Sequence, residues 1–389
     1  MMGRPLVRSL SCTVLALAVA GCAGSQDGSG PPASQPAGRT AAAESLAGIC
    51  PNTIVVQDNW WPQAETGSLY GLLGDDVRID DGKKRVSGPL VANGGDTGVR
   101  IEIRSGGPAN GFTPAAKTLY LNKEVTLGAV DIDQAASVSG SGQPVLSVFA
   151  TMNVSPLVLM WDPQAHPDWR TIADIGKTDT RVLYFPGSTY MDYLVDAAIL
   201  RKSQVEGSYD GTPARFIAER GRIVQQGYLT NEVYQYQNEL PQWKKRVAWR
   251  LVNDTGYPNY PETLAIRPDR RAELAPCLRK LVPILQRSAV AYAANPAPTN
   301  NLIVRLVKEY NAFPYSPARA AAAASAMKQH GVLGNGDNKA IGDFDTARVQ
   351  KLIDVVQPLF AAARKPIKAG LRPGDIATNE FIDAAIGLP

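Results

Sequence analysis

The sequence predicts an α/β protein made of two lobes joined by two chain crossovers. Short apolar runs rich in β-branched and aromatic residues alternate with stretches of helical spacing. About 340 residues follow the amino-terminal segments, more than one hydrophobic core usually serves. The alternation fades near Pro261, after which the chain reads as mostly helical.

The first residues indicate a destination. Arg4 and Arg8 precede an apolar run from Leu10 to Ala20, and Val19-Ala-Gly-Cys22 closes it. A basic start, a short apolar core and small residues before the cut make a secretory signal. The run is too short to span a membrane. Its ending resembles the bacterial lipobox, which implies cleavage before Cys22 and lipidation of that residue. Residues 1–21 are therefore read as a signal and 22–48 as a disordered tether, since Gly, Ser, Pro, Ala and Gln dominate without apolar period. The expected location is extracytoplasmic, lipid-anchored to the outer face of the cell membrane.

Four cysteines occur. Cys12 leaves with the signal and Cys22 is the lipid site. In an oxidising compartment the remaining Cys50 and Cys277 are expected to pair, two separate buried thiols being the alternative. The only histidines, His166 and His330, stand far apart, so no metal spacing arises. Removing Arg4 and Arg8 with the signal takes the formal charge from +4 to +2. That near balance argues against nucleic acid as a partner.

Thr53-Ile-Val-Val-Gln57 reads as a first strand running into Asp58-Asn-Trp-Trp-Pro62. Trp60 and Trp61 offer flat apolar faces, and Asp58 offers an acceptor for an amine or a cation beside a ring. At least one of the two tryptophans is expected in the core. Asp80-Asp-Gly-Lys83 marks a hairpin within Asp76–Val91, and Val99–Ile103 alternates as a strand. The turn at Gly106-Gly107 has the freedom to approach a ligand closely. Val125–Val130 is a further strand, after which Asp133 is placed as a helix N-cap that also faces ligand. Val145–Ala150 and Leu157–Met160 are continuous apolar runs, as strands covered on both faces require. The first crossover, with Asn153, falls between them.

In the second lobe, Arg181–Phe185 reads as a strand, followed by Gly187-Ser-Thr-Tyr190 and an amphipathic helix. Ser188 stands where an N-cap belongs, and free N–H groups at a strand's carboxyl end suit ligand binding. Gln225–Tyr234 repeats the pattern, with Tyr228, Asn231 and Glu232 facing the same cleft. The segments Arg250–Asn253 and Gly256–Tyr260 make the return crossover. In the helical remainder, Leu302, Ile303, Leu306, Val307 and Tyr310 form one apolar face, and Asp345 caps the helix bearing Val349 to Phe360. Ile175-Gly-Lys-Thr178 lacks the glycine at 171 that a phosphate loop needs. No nucleophile elbow, zinc-protease helix or dinucleotide pattern is present.

These pieces together resemble solute-binding lipoproteins of ABC importers, in the branch that binds nitrate, sulfonates such as taurine, and thiamine-pyrimidine precursors. The likeness rests on the first strand with its aromatic loop, on Val130–Gln134 through Pro144–Val148, on Phe185–Tyr190, on Gly227–Glu232 and on Thr378–Asp383. It implies an α/β, two-lobed type II periplasmic-binding-protein-like fold. The first lobe would be formed by 49–157 and 256–389, with 158–255 inserted as the second. It also implies a small solute captured between the lobes, an ABC permease as partner and no enzymatic activity. The hairpin at 76–91 departs from the family pattern. So does the lack of the cysteine-rich motif of pyrimidine-synthesising relatives. The residues expected at the ligand are Asp58, Trp60, Trp61, Asp133, Asn153, Gly187, Ser188, Thr189, Tyr190, Tyr228, Asn231 and Glu232. The protein is expected to be a monomer without cofactor, and its solute heteroaromatic or amine-bearing. A carboxylate-dependent extracytoplasmic enzyme and a surface sensor or recruitment lipoprotein are the rival readings.

Overall fold

The structure is a computed structural model and describes residues 44–365 and 367–389. The expected signal, its Cys22 and most of the tether lie outside the described residues. The expected tether boundary at residue 48 is too late. Leu46 is fully buried and its amide donates to the Thr97 carbonyl at 2.8 Å, while Glu44 pairs with Arg287. An isolated leucine in a polar stretch gives too little periodicity to reveal this packing.

Among the described residues twelve strands form two sheets. The first sheet contains β1 (Thr53–Gln57), β2 (Arg78–Asp80), β3 (Arg85–Ala92), β4 (Gly95–Arg104), β5 (Val125–Val130) and β6 (Leu146–Phe149). The second contains β7 (Leu157–Trp161), β8 (Val182–Leu183), β9 (Val205–Glu206), β10 (Val224–Tyr228) and β11 (Ala248–Leu251). The chain then returns to the first sheet as β12 (Thr263–Ile266). Strand order is β2-β3-β4-β1-β5-β12-β6 in the first sheet and β11-β7-β10-β8-β9 in the second. The chain thus passes between sheets twice, once after β6 and once after β11.

Burial follows the pairing. β1 and β5 lie inside the first sheet, parallel to each other, and are apolar and buried almost throughout. β3 and β4 pair antiparallel and alternate buried with exposed residues, because one of their faces meets solvent. β2 completes the expected hairpin at the sheet's edge. The chain after Pro261 is mostly helical, as expected, apart from strand β12. Its four residues, Thr-Leu-Ala-Ile, are too few to stand out, yet all are buried between β5 and β6. The expected strand Arg181–Phe185 shrinks to Val182–Leu183 for a related reason. Only those two residues find partners in β10 and β9.

Helices cover the sheets. A 24-residue helix, Arg271–Ala294, packs on the first sheet through Leu274, Leu278, Leu281 and Leu285. Its Cys277 is bonded to Cys50 just before β1, a link of 227 residues in sequence. The helix Ala297–Glu309 buries Ile303, Leu306 and Val307. The helix Thr346–Ala362 begins at Asp345, whose carboxylate accepts from the amides of Ala347 and Arg348.

Candidate functional site

Parallel strands place their carboxyl ends on one edge. β1, β4 and β5 end together, and antiparallel β12 enters the sheet from the same edge, Thr263 opposite Val130. The residues just beyond these ends are Asp58, Ser105, Asp131 and Glu262. In the second sheet β8, β9 and β10 are parallel too, and their ends lead to the Gly187–Tyr190 turn, Tyr209 and Tyr228. The two edges face each other across a cleft.

Side chains from both lobes meet there. The Thr230 hydroxyl, beyond β10, donates to Glu65 of the first lobe. The ring of Trp60 lies 6.0 Å from Phe185 of the second lobe and 6.2 Å from Phe112 of the first. Gly107 has φ +56°, and a Cβ there would stand 2.5 Å from the Trp60 ring. Gly106 meets the backbone of Asp58 and Asn59 in the same way. The pair of glycines therefore seats the tryptophan loop rather than a ligand. Arg319, 1 % exposed, donates to Glu239 at 2.8 Å through Nε and to Asn231 at 3.1 Å. It pins the second lobe to the Ala-rich helix Pro317–Gln329.

A cavity of about 260 Å³ lies between the edges, walled by Asp131, Asp133, Ser188, Thr189, Tyr228, Tyr257 and Asn259 among others. Asp133 accepts from the Tyr257 hydroxyl at 2.6 Å, and its amide donates to the Asn259 side-chain oxygen at 3.2 Å. The Tyr190 hydroxyl donates to Gln226 at 2.8 Å. Asp131 accepts the Glu262 amide at 2.8 Å.

Asp131 and Asp133 wall this cavity, and four further acids, Asp58, Glu65, Glu232 and Glu262, are buried nearby, close enough to act on one another or on Asp131. Among the described residues none of the six forms a salt bridge, although Lys365 and Arg319 act from farther off on Asp133 and Glu232. Burial without a counter-ion disfavours the charged form. Asp58 is accordingly pushed up to about 7 by desolvation, against opposing hydrogen bonds from Asn59 and Trp60. Asp131 is pushed up to about 7 by desolvation and by Asp133. Glu65, Asp133 and Glu232 are raised by burial as well. Glu262 is raised well above its ordinary range by burial and then by Asp58, Glu65 and Asp131. Tyr228, reaching across from the second lobe, is raised by burial and by these same acids.

The residues singled out from sequence divide into several groups. Asp133, Gly187, Ser188, Thr189, Tyr190 and Tyr228 wall the cavity. Asp58 and Trp60 lie at the inner end and at the interlobe contact. Trp61 packs into the first-lobe core, 6.5 Å from the Tyr310 ring, so it is not at the cleft. Asn153 is also away from the cavity, where its side chain accepts from Arg348 at 3.1 Å. Asn231 is held by Arg319. Glu232 folds back on its own turn, accepting the Tyr228 amide at 2.7 Å. Two capping assignments change. Asp131 occupies the N-cap of the helix Ile132–Val138, so Asp133 lies inside its first turn. Ser188 stands at an N-cap position, but its hydroxyl donates to the Phe185 carbonyl at 2.8 Å instead of capping. Sequence reading missed Glu65, Asp131, Tyr257, Asn259 and Glu262. Glu262 was discoverable only through β12, which places it at the shared edge.

No protein-family model and no curated protein matches the chain. Solved structures do. A protein of Bordetella bronchiseptica RB50 aligns at TM-score 0.53 and 15 % identity, over 85 % of this chain and 96 % of that one. The alkanesulfonate-binding protein SsuA from Xanthomonas axonopodis pv. citri, bound to MOPS, aligns at 0.53 and 12 %, over 84 % and 99 %. The ligand-binding component of an ABC-type import system from Staphylococcus aureus, with zinc bound, aligns at 0.52 and 11 %, over 84 % and 97 %. The chain has the two-lobed periplasmic-binding-protein fold. That likeness is one of fold, and the acid-rich cleft has to be read from this chain's own residues.

Proposed function

We propose that this protein is the solute receptor of an ABC importer. It captures a small amine-bearing or heteroaromatic nutrient between its lobes and delivers it to a permease. A lipid on Cys22 holds it at the outer face of the cell membrane. The observation that carries this reading is the cavity between two sheet edges, bounded by both lobes and walled by Asp131 and Asp133, neither of them in a salt bridge. In open α/β sheets ligands bind at the carboxyl ends of strands, and here two such edges converge. Solute entering the open cleft selects the closed state, because only then do both lobes touch it. The cavity's small volume points to a small solute. Trp60 adds a flat apolar face at the junction.

A thermal-shift screen of the purified protein against amines, pyrimidines, flavins, sulfonates and nitrate tests this reading. A ligand at about a hundred times its dissociation constant adds roughly 2.7 kcal/mol to stability. One responding class, recovered unchanged, is the expected result. A second reading has one observation in its favour. Asp58 and Asp131, both near 7, have the proton affinity of general acids. Recovery of the responding compound as a product would favour that carboxylate enzyme.

A further inference from the structure

The inner end of the cleft indicates what the solute must present, an inference that rests on the solute-receptor reading above. Asp58 is 1 % exposed, and its Oδ2 has no hydrogen-bond partner. Glu65 is 5 % exposed; its Oε1 receives the Thr230 hydroxyl from the other lobe, and its Oε2 has no partner. Glu262 lies beside both, at φ +52°, a backbone conformation that side-chain-bearing residues rarely adopt. Asp131 holds it there through its amide. Buried acceptors without donors are costly in a dry site. Thr230 is committed to Glu65 and Tyr257 to Asp133, and the hydroxyls of Tyr70, at Asp58, and of Tyr228, beside Glu262, bring no positive charge.

The missing partner must therefore bring hydrogen-bond donors as well as positive charge. A bare metal ion does not fit, because no group of three or more metal-ligating side chains among the described residues is arranged to hold one. A quaternary ammonium supplies charge but has no hydrogen to donate. We infer that the solute places an N–H-bearing organic cation (a primary ammonium, guanidinium or amidinium) against Asp58, Glu65 and Glu262, with Asp131 and Asp133 at the cavity side. Glu262 then acts as a specificity-determining residue that touches both groups of acids.

Isothermal titration of the purified protein with matched probes tests the assignment. Benzylamine, butane-1,4-diamine and 4-guanidinobutylamine are each compared with the fully N-methylated counterpart and with a sulfonate of equal length. At least one N–H cation should bind, with its N-methylated form weaker by roughly tenfold or more. Glu262→Gln should lower that affinity by about tenfold while the melting temperature holds or rises, since a like charge is removed. Glu65→Gln keeps an oxygen for Thr230 and should weaken the same probe. Equal binding of the N-methylated form overturns the inference, as do unchanged affinities in both variants. Silence of every N–H cation also overturns it, provided mass spectrometry of the denatured protein shows an empty cleft. A sulfonate binding alone overturns the cation but leaves the receptor reading standing. Conversion of a bound amine to product has the opposite effect.

Discussion

Carboxylates occupy two opposite settings in this molecule. On the outer rim of the second lobe, Glu206 and Glu219 lie within 3.4 Å of Arg181 and Arg215. Hydrogen bonds, from Ser208 to Glu206 and from Arg181 to Glu219, hold both below the usual carboxylate range. In the cleft the same chemical group is buried with other acids, and its proton affinity rises. The rim acids are content as they are. The cleft acids are costly to the ligand-free protein, a cost that the proposed N–H cation would offset. Arg319 and Glu239 form the intermediate case, a buried cation paired between lobes.

That ordering is open to test, beginning with the largest effect. Arg319→Met leaves Glu239, itself partly exposed, without its buried partner, and should cost about 2 kcal/mol in a denaturant melt. A loss near zero would place this pair with the rim rather than the interior. Asp58→Asn should change stability in the other direction, raising it by about 1–2 kcal/mol at pH 8 because no buried charge then forms. If Asp58→Asn is instead destabilising at pH 8, the charged carboxylate is stabilised by a donor in the folded protein. The same contrast predicts a pH slope. A carboxyl whose folded pKa is raised binds more protons folded than unfolded. Its contribution is fully present below its ordinary value of 3.8 and is lost as pH rises through about 7. The ligand-free protein should therefore lose stability from about pH 4 to pH 7, less steeply in Asp58→Asn, and circular-dichroism melts across that range read the difference. Arg215→Ala on the rim is the smallest test. The midpoint should stay within replicate scatter at physiological salt, because exposed pairs are screened.

The parts legible in the sequence were those with a repeating local signal. β1 and β5 are buried on both faces, so their continuous apolar runs gave correct bounds. Asp345 was legible as a cap because a polar residue precedes a long apolar stripe. The site was harder. Asp58, Trp60 and the Gly187–Tyr190 turn were found because they follow recognisable strands. Glu262 was not, since its strand has four residues and its role depends on pairing 133 positions away, where Thr263 bonds Val130. Trp61 and Trp60 are neighbours in sequence and differ only in which way they face. One packs by Tyr310 in the core and the other at the lobe junction, a choice set by tertiary packing that no local pattern records.

The return of β12 to the first sheet also has a consequence for how the protein is made. Residues 157–251 contain every strand of the second sheet, so that half has all its strands once synthesis passes Leu251. The first sheet at that moment is still split, with β5 and β6 lacking the strand that belongs between them. Cys50 waits longer still for Cys277. A chain released early thus pairs a finished half with a gapped one, whose open strand edges invite association with other chains. The half that bears Asp58, Glu65, Asp131 and Glu262 is therefore the one whose sheet is completed last.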